Sequence, residues 1–100
     1  MEKKFFVRGA DSGIYYGEIV RRDDRETEME NAYYVKSLTS VDMLYHLAMK
    51  GFPEPSFDKP VEDIRLTDTP FRTIITDTCE ILCVTDEARE SIEKEMPWLK

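Results

Sequence analysis

This sequence is short of the residues that build metal sites and disulfide frameworks. Its 100 residues include two cysteines and one histidine. Structural zinc takes about four protein ligands, which this supply does not reach. Cys79 and Cys83 share a face if residues 79–83 form a strand, yet stand roughly 13 Å apart at ~3.3 Å per residue, beyond the reach of an intrachain bridge. The expectation is two reduced cysteines buried as small hydrophobes, with no metal and no cofactor. Glycine is scarce, and Gly9, Gly13 and Gly17 are too widely spaced for a dinucleotide fingerprint. Ser12-Gly13 lacks the frame of a nucleophile elbow. The adjacent acids Asp23-Asp24 and Glu62-Asp63 point apart on a strand and do not resemble a calcium loop. No general base has an evident partner, so no catalytic residue is expected.

Long apolar runs are missing too, so no segment is expected to span a membrane. Met1-Glu2-Lys3-Lys4 is not followed by an apolar stretch of secretory length, and reads as an unprocessed cytosolic start. A basic excess is also lacking. The net charge is −7, which argues against direct nucleic-acid binding, because phosphate contacts need a basic face. Residues 1–25 carry six Lys or Arg and five acids, so the negative excess falls on the rest of the chain. That acidic part is either a protein-binding face, a mimic of nucleic-acid phosphates, or a solvated surface.

What is present is the make-up of one globular domain, residues 1–100: 41% hydrophobic and 35% charged. Lys3 to Lys36 reads as three antiparallel strands. In the first, Phe5 and Val7 point one way while Lys4, Phe6 and Arg8 point the other. Asp11-Ser12-Gly13 supplies turn chemistry. The second, Ile14 to Arg21, has Tyr15, Gly17 and Ile19 on one face and Ile14, Tyr16, Glu18 and Val20 on the other. Both faces are apolar, so this strand is central or inside a curled sheet. Gly17 marks a bulge, a bend or a close approach. After the Asp23-Asp24 turn, Glu26, Glu28 and Glu30 alternate with Thr27 and Met29, the pattern of a half-buried strand with a solvated acidic face.

Leu38 to Gly51 is predicted as a helix, with Thr39 or Ser40 as cap and Val41, Leu44, Leu47 and Ala48 as its buried stripe. Gly51 closes it. Pro53, Pro55 and Pro60 make a covering loop, with Phe52 and Phe57 tucked onto the core. Val61–Leu66, Phe71–Thr76 and Cys79–Val84 are strand candidates, the last two parted by Asp77. A second helix starts at Thr85 or Asp86, buries Ala88, Ile92 and Met96, and ends at Pro97. Trp98 then docks the tail. The expected fold is α+β: a curled antiparallel sheet of about five to six strands, with barrel closure left open, and two helices.

Several short motifs resemble a small uncharacterised family found in bacteriophages and prophage regions, a domain of unknown function. They are the stretch Val7-Arg8 through Gly17-Glu18, then Asn31-Ala32, Leu44 through Leu47-Ala48, Glu80-Ile81 through Thr85-Asp86-Glu87-Ala88, and Ser91-Ile92 to Trp98. The resemblance covers most of the chain. It implies a phage context and no known activity, and it lends no functional residue.

The leading expectation is therefore a non-catalytic binding protein of phage or prophage origin, acting in the cytoplasm of the bacterial host cell. It would sequester a host protein or a small ligand, as counter-defence proteins do, or join a phage assembly. The expected contact surface is an aromatic patch of Tyr16, Tyr33 and Tyr34 with His46, since tyrosine brings large amphipathic area at low entropy cost. Core packing is the competing reading for those tyrosines. Arg8, meeting Arg21, Arg22 or Arg25 across a hairpin, is the candidate anion-binding residue, with salt bridges as its alternative. A virion structural or accessory protein that self-associates is the second reading, with a homo-oligomer as its form.

Overall fold

The alternating pattern at the start of the chain forms a meander of β1 (Phe5–Gly9), β2 (Gly13–Asp23) and β3 (Glu26–Tyr34). The computed structural model describes residues 3–36, 41–51, 66–67 and 69–94, with the backbone alone for residues 41–43. After β3 come α1 (Val41–Lys50), β4 (Phe71–Ile75), β5 (Thr78–Cys83) and α2 (Asp86–Lys94). The five strands form one antiparallel sheet in the order β4-β3-β2-β1-β5. The expected α+β architecture, a curled sheet with two helices, is what the chain adopts, with five strands and without closure.

The curl follows from one short link. β4 and β5 are the two edges of the sheet, yet only Thr76 and Asp77 separate them in sequence. Five flat strands would hold their edges about 19 Å apart at ~4.8 Å per strand. Three peptide units span at most ~11 Å. The edges must therefore approach at this end, and the sheet rolls. Local bonds hold the approach: the Thr78 N–H donates to the Arg25 carbonyl at 3.0 Å, and the Thr27 and Thr78 hydroxyls pair at 2.9 Å.

A rolled sheet has two buried faces, as the two-sided pattern of β2 predicts. Inside the roll lie Val7, Met29, Ala32 and Ile75, none more than 2% exposed. On the outer face Phe6, Tyr16 and Tyr33 pack under α1 and α2 against Leu44, Leu47 and Ile92. Phe6 and Val7 thus feed different cores from adjacent positions. Ile81 of β5 joins the inner core, while Leu82, and Val84 just past the end of the strand, join the outer one.

Gly17 and Asn31 set where the pattern changes phase. The β2–β3 register shifts between Tyr16 and Glu18, and the β3–β4 register shifts between Met29 and Ala32. Asn31 takes φ 50°, and a Cβ on Gly17 would stand 2.8 Å from both the Ala32 Cα and the Asn31 carbonyl oxygen. Only glycine lets the two backbones come this close. Before the bulge Thr27 and Met29 point into the roll; after it Ala32 does, and Tyr33 turns outward. The acidic alternation of Glu26, Glu28 and Glu30 is present, but these carboxylates are paired. Arg21 meets Glu26 and Glu28, and the Arg72 Nε donates to Glu28 at 2.9 Å.

The two helices interlock at one residue. Gly51, at φ 84°, donates its N–H to the Leu47 carbonyl at 3.1 Å and ends α1. Thr85 caps α2: its Oγ1 accepts from the Ala88 N–H at 3.1 Å and donates to the Met49 carbonyl at 2.7 Å. Its N–H bonds the Ala48 carbonyl at 3.0 Å.

Two expectations need correction. Cys79 and Cys83 are both exposed, not buried. They lie on an edge strand, and a bulge between Arg8 and Gly9 on the β1–β5 ladder takes Cys79 out of the alternation. The expected strand at Val61–Leu66 is represented by a single bridge between Leu66 and Val35; residues 61–65 lie outside the described residues. So do the cap at Thr39 or Ser40, the loop with Phe52 and Phe57, and Met96, Pro97 and Trp98, as does the side chain of Val41.

Candidate functional site

The expected aromatic patch does not assemble. Tyr16 and Tyr33 are 1% and 3% exposed, in the outer core beneath the helices. They offer no surface to a partner, because their strand parity turns them under α1 and α2. His46 is half-buried on α1, off the stripe made by Leu44, Leu47 and Ala48. Tyr34 is half-buried and packs on the opposite face of the sheet from α1.

Arg8 meets none of Arg21, Arg22 or Arg25. Its Nε donates to Glu80 Oε1 at 3.1 Å, and Tyr45 on α1 donates to the other oxygen of Glu80 at 2.7 Å. The bond to Glu80 raises the affinity of Arg8 for its proton. The guanidinium is held by a carboxylate, so the salt-bridge reading replaces the anion site. Register is the cause: β1 and β5 place Arg8 directly opposite Glu80.

The structure gathers a different aromatic group at the β4 edge. Tyr34 on β3 lies directly opposite Tyr15 on β2, with ring centroids 5.3 Å apart. Phe71, the first residue of β4, meets the Tyr15 ring edge-on at 6.1 Å. Such tilted and T-shaped pairs are the favoured arrangements of aromatic quadrupoles. The two tyrosines are tied down, Tyr15 by its hydroxyl and Tyr34 by its backbone. The Tyr15 hydroxyl donates to the Ser12 carbonyl at 3.0 Å. The Tyr34 backbone exchanges bonds with Thr67, which donates from its N–H and accepts at its Oγ1. Partial burial pushes the Tyr15 phenol above its ordinary range, with Tyr34 and Asp77 adding to the shift. Phe71 is 37% exposed.

Beside these rings is a depression of about 400 Å³ lined by Glu30, Asn31, Pro70, Phe71 and Arg72. Its polar rim is fixed. The Asn31 amide donates to Glu18 at 2.9 Å, and Lys4 meets the same oxygen at 3.1 Å. These two contacts, Asn31 first, hold the Glu18 carboxyl below its ordinary range. Arg72 reaches Glu30 at 3.5 Å as well as Glu28. The group offers aromatic edges, a hydroxyl, and charges that are already neutralised in pairs, which suits contact and orientation.

Of the expected residues, Tyr34 alone belongs to this site. Tyr15 and Phe71 were missed. The signal for Tyr15 lay in the register: it shares the face of Ile19, and pairing sets it against Tyr34. Phe71 follows Pro70 and carried no short-range signal. Among the described residues, no group of three or more His, Cys, Asp or Glu side chains could hold a metal ion. Among them also, no helix is long and apolar enough to cross a membrane. No family model, curated protein or solved structure matches this chain.

Proposed function

We propose that this chain is a non-catalytic binding protein, encoded by a phage or prophage, that sequesters a host protein or small ligand in the bacterial cytoplasm. The counter-defence role fits its size and acidity. The observation that carries the reading is the packed cluster of Tyr15, Tyr34 and Phe71 beside the depression at Glu30, Asn31 and Arg72. Rigid tyrosines with a fixed polar rim are what a protein contact needs in order to bind without a large ordering cost. The phage context comes from the sequence resemblance.

The test compares capture from host lysate by the tagged wild-type chain and by Tyr34→Ala and Phe71→Ala, with thermal melts as the folding control. Native mass spectrometry of the purified chain reads any retained small molecule. The reading expects one enriched host protein or one retained molecule, lost in both variants while they remain folded. Equal capture by wild type and variants would refute the site.

The self-associating virion component is the second reading. It is favoured by the exposed apolar residues on the β4 edge, Phe71 and Ile74. A fixed stoichiometry in purified particles would support it, and absence from particles would eliminate it.

A further inference from the structure

We infer that β4 is a self-pairing edge, on which a second copy of this chain docks its own β4 in antiparallel register about a two-fold axis at Thr73. An open edge strand carries a row of unpaired backbone donors and acceptors that another strand can complete. Among the described residues, the two edges of this sheet differ in how well they are protected. On β5 a bulge at the Arg8/Gly9 step breaks the ladder, and the Thr78 N–H is already spent on Arg25. On β4 the extra residue of the register shift belongs to β3, so β4 itself runs regularly from Phe71 to Ile75. Pro70 precedes the paired stretch and leaves its backbone donors in place.

The strand is complementary to itself. A two-fold at Thr73 sets Phe71 opposite Ile75 of the copy and Arg72 opposite Ile74 of the copy. Thr73 then meets its own equivalent, a favourable cross-strand pair. No like charges meet. The single charge on the strand, Arg72, is held by Glu28 and Glu30. The Arg72 side chain is 63% exposed, and Ile74 is 52% exposed. Pairing would lay each Ile74 along the apolar stem of the partner's arginine and cover both. The inner faces of the two rolls would then lie on the same side of a continuous sheet. Phe71 and Arg72 are shared with the proposed contact site, whereas Thr73 and Ile74, where the variants are made, are not, so failure of self-pairing and failure of capture are read separately.

Sedimentation equilibrium under reducing conditions reads the assembly. The wild-type chain is expected to be a dimer. Ile74→Lys places a lysine opposite Arg72 twice per dimer and should raise the dissociation constant by about tenfold or more. A second test fixes the register. Thr73→Cys in a Cys79→Ser, Cys83→Ser background should cross-link to itself when oxidised glutathione is added. Two thiols then lose two protons and two electrons to form the bridge, and the glutathione disulfide is reduced to two thiols. Thr76→Cys in the same background should not cross-link. A monomeric mass for the wild type at every concentration overturns the inference, as does an Ile74→Lys chain that dimerises like the wild type. A dimer in which the Thr73→Cys chain fails to cross-link overturns the register.

Discussion

Thr85→Val tests whether one hydroxyl couples the two helices. The substitution keeps the shape of the side chain and removes one oxygen. That oxygen accepts from the Ala88 N–H at 3.1 Å and donates to the Met49 carbonyl at 2.7 Å. Losing the cap on α2 costs about 1 kcal/mol. Losing the bond to the last turn of α1 costs roughly another 1 kcal/mol. The backbone bond from Thr85 to Ala48 survives the change. The expected loss is therefore about 2 kcal/mol, which lowers the melting temperature of a domain this size by roughly 8–16 °C. Urea titrations of wild type, Thr85→Val and Thr85→Ser measure it. Serine retains the hydroxyl and should stay within ~0.5 kcal/mol of wild type. A valine variant as stable as wild type would refute the coupling, and a serine variant as weak as valine would show that the methyl group matters instead.

Three further outcomes follow from the core and the turns. Gly17→Ala puts a methyl group 2.8 Å from two backbone atoms of the facing strand, so stability should fall by ~1–3 kcal/mol in urea, and an unchanged midpoint would sink the close-packing argument. Tyr16→Phe removes a buried hydroxyl that has no hydrogen-bond partner among the described residues; stability should hold or rise, and a loss above ~1 kcal/mol would reveal a partner for that oxygen. The Asp77 carboxyl is held below its ordinary range by the Ser12 hydroxyl and the Asp11 and Ser12 N–H groups, so its stabilisation is present above the unfolded-state value, near pH ~4, and fades as pH falls through the folded one. Asp77→Asn should therefore flatten the acid limb of melting temperature against pH; an unchanged limb would assign that limb to other groups, of which Glu18 and Glu28 are shifted in the same direction.

Much of the fold was legible because the local signals agreed with each other. The Asp11–Gly13 and Asp23–Asp24 turns, the alternation of β3, and the Thr85 and Gly51 helix ends each name their element without reference to the rest of the chain. The β-bulge at Gly17 was legible as a kink, but its partner Asn31 was not, since nothing in an asparagine announces φ 50°. That residue decides which of two adjacent tyrosines is buried. Cys79 and Cys83 were misplaced for a related reason: edge position and bulge are properties of the assembled sheet, and cysteine's usual burial does not anticipate them. The site was the least legible part. Arg8 and Glu80 are 72 positions apart, and Tyr15, Tyr34 and Phe71 come from three strands, so only the register brings either group together.

The two-sided core also limits where this protein can bind anything. In an ordinary half-buried sheet one face stays free for a partner. Here the middle of the sheet is used on both sides, by Val7, Met29 and Ile75 within the roll and by Phe6, Tyr16 and Tyr33 beneath the helices. A contact placed at Tyr16 or Tyr33 would require α1 and α2 to leave, with the loss of several buried side chains at about 1.5–3 kcal/mol each. Among the described residues of the sheet, exposed aromatic area then arises toward an edge, where a strand lacks a neighbour, while Tyr45 is exposed on α1. β4 meets that condition: Phe71 and Ile74 are exposed on it, and the Tyr15–Tyr34 pair reaches it through Phe71. The roll that β4 and β5 impose by their two-residue link thus fixes the fold and also moves the exposed aromatic surface of the described sheet to its rim.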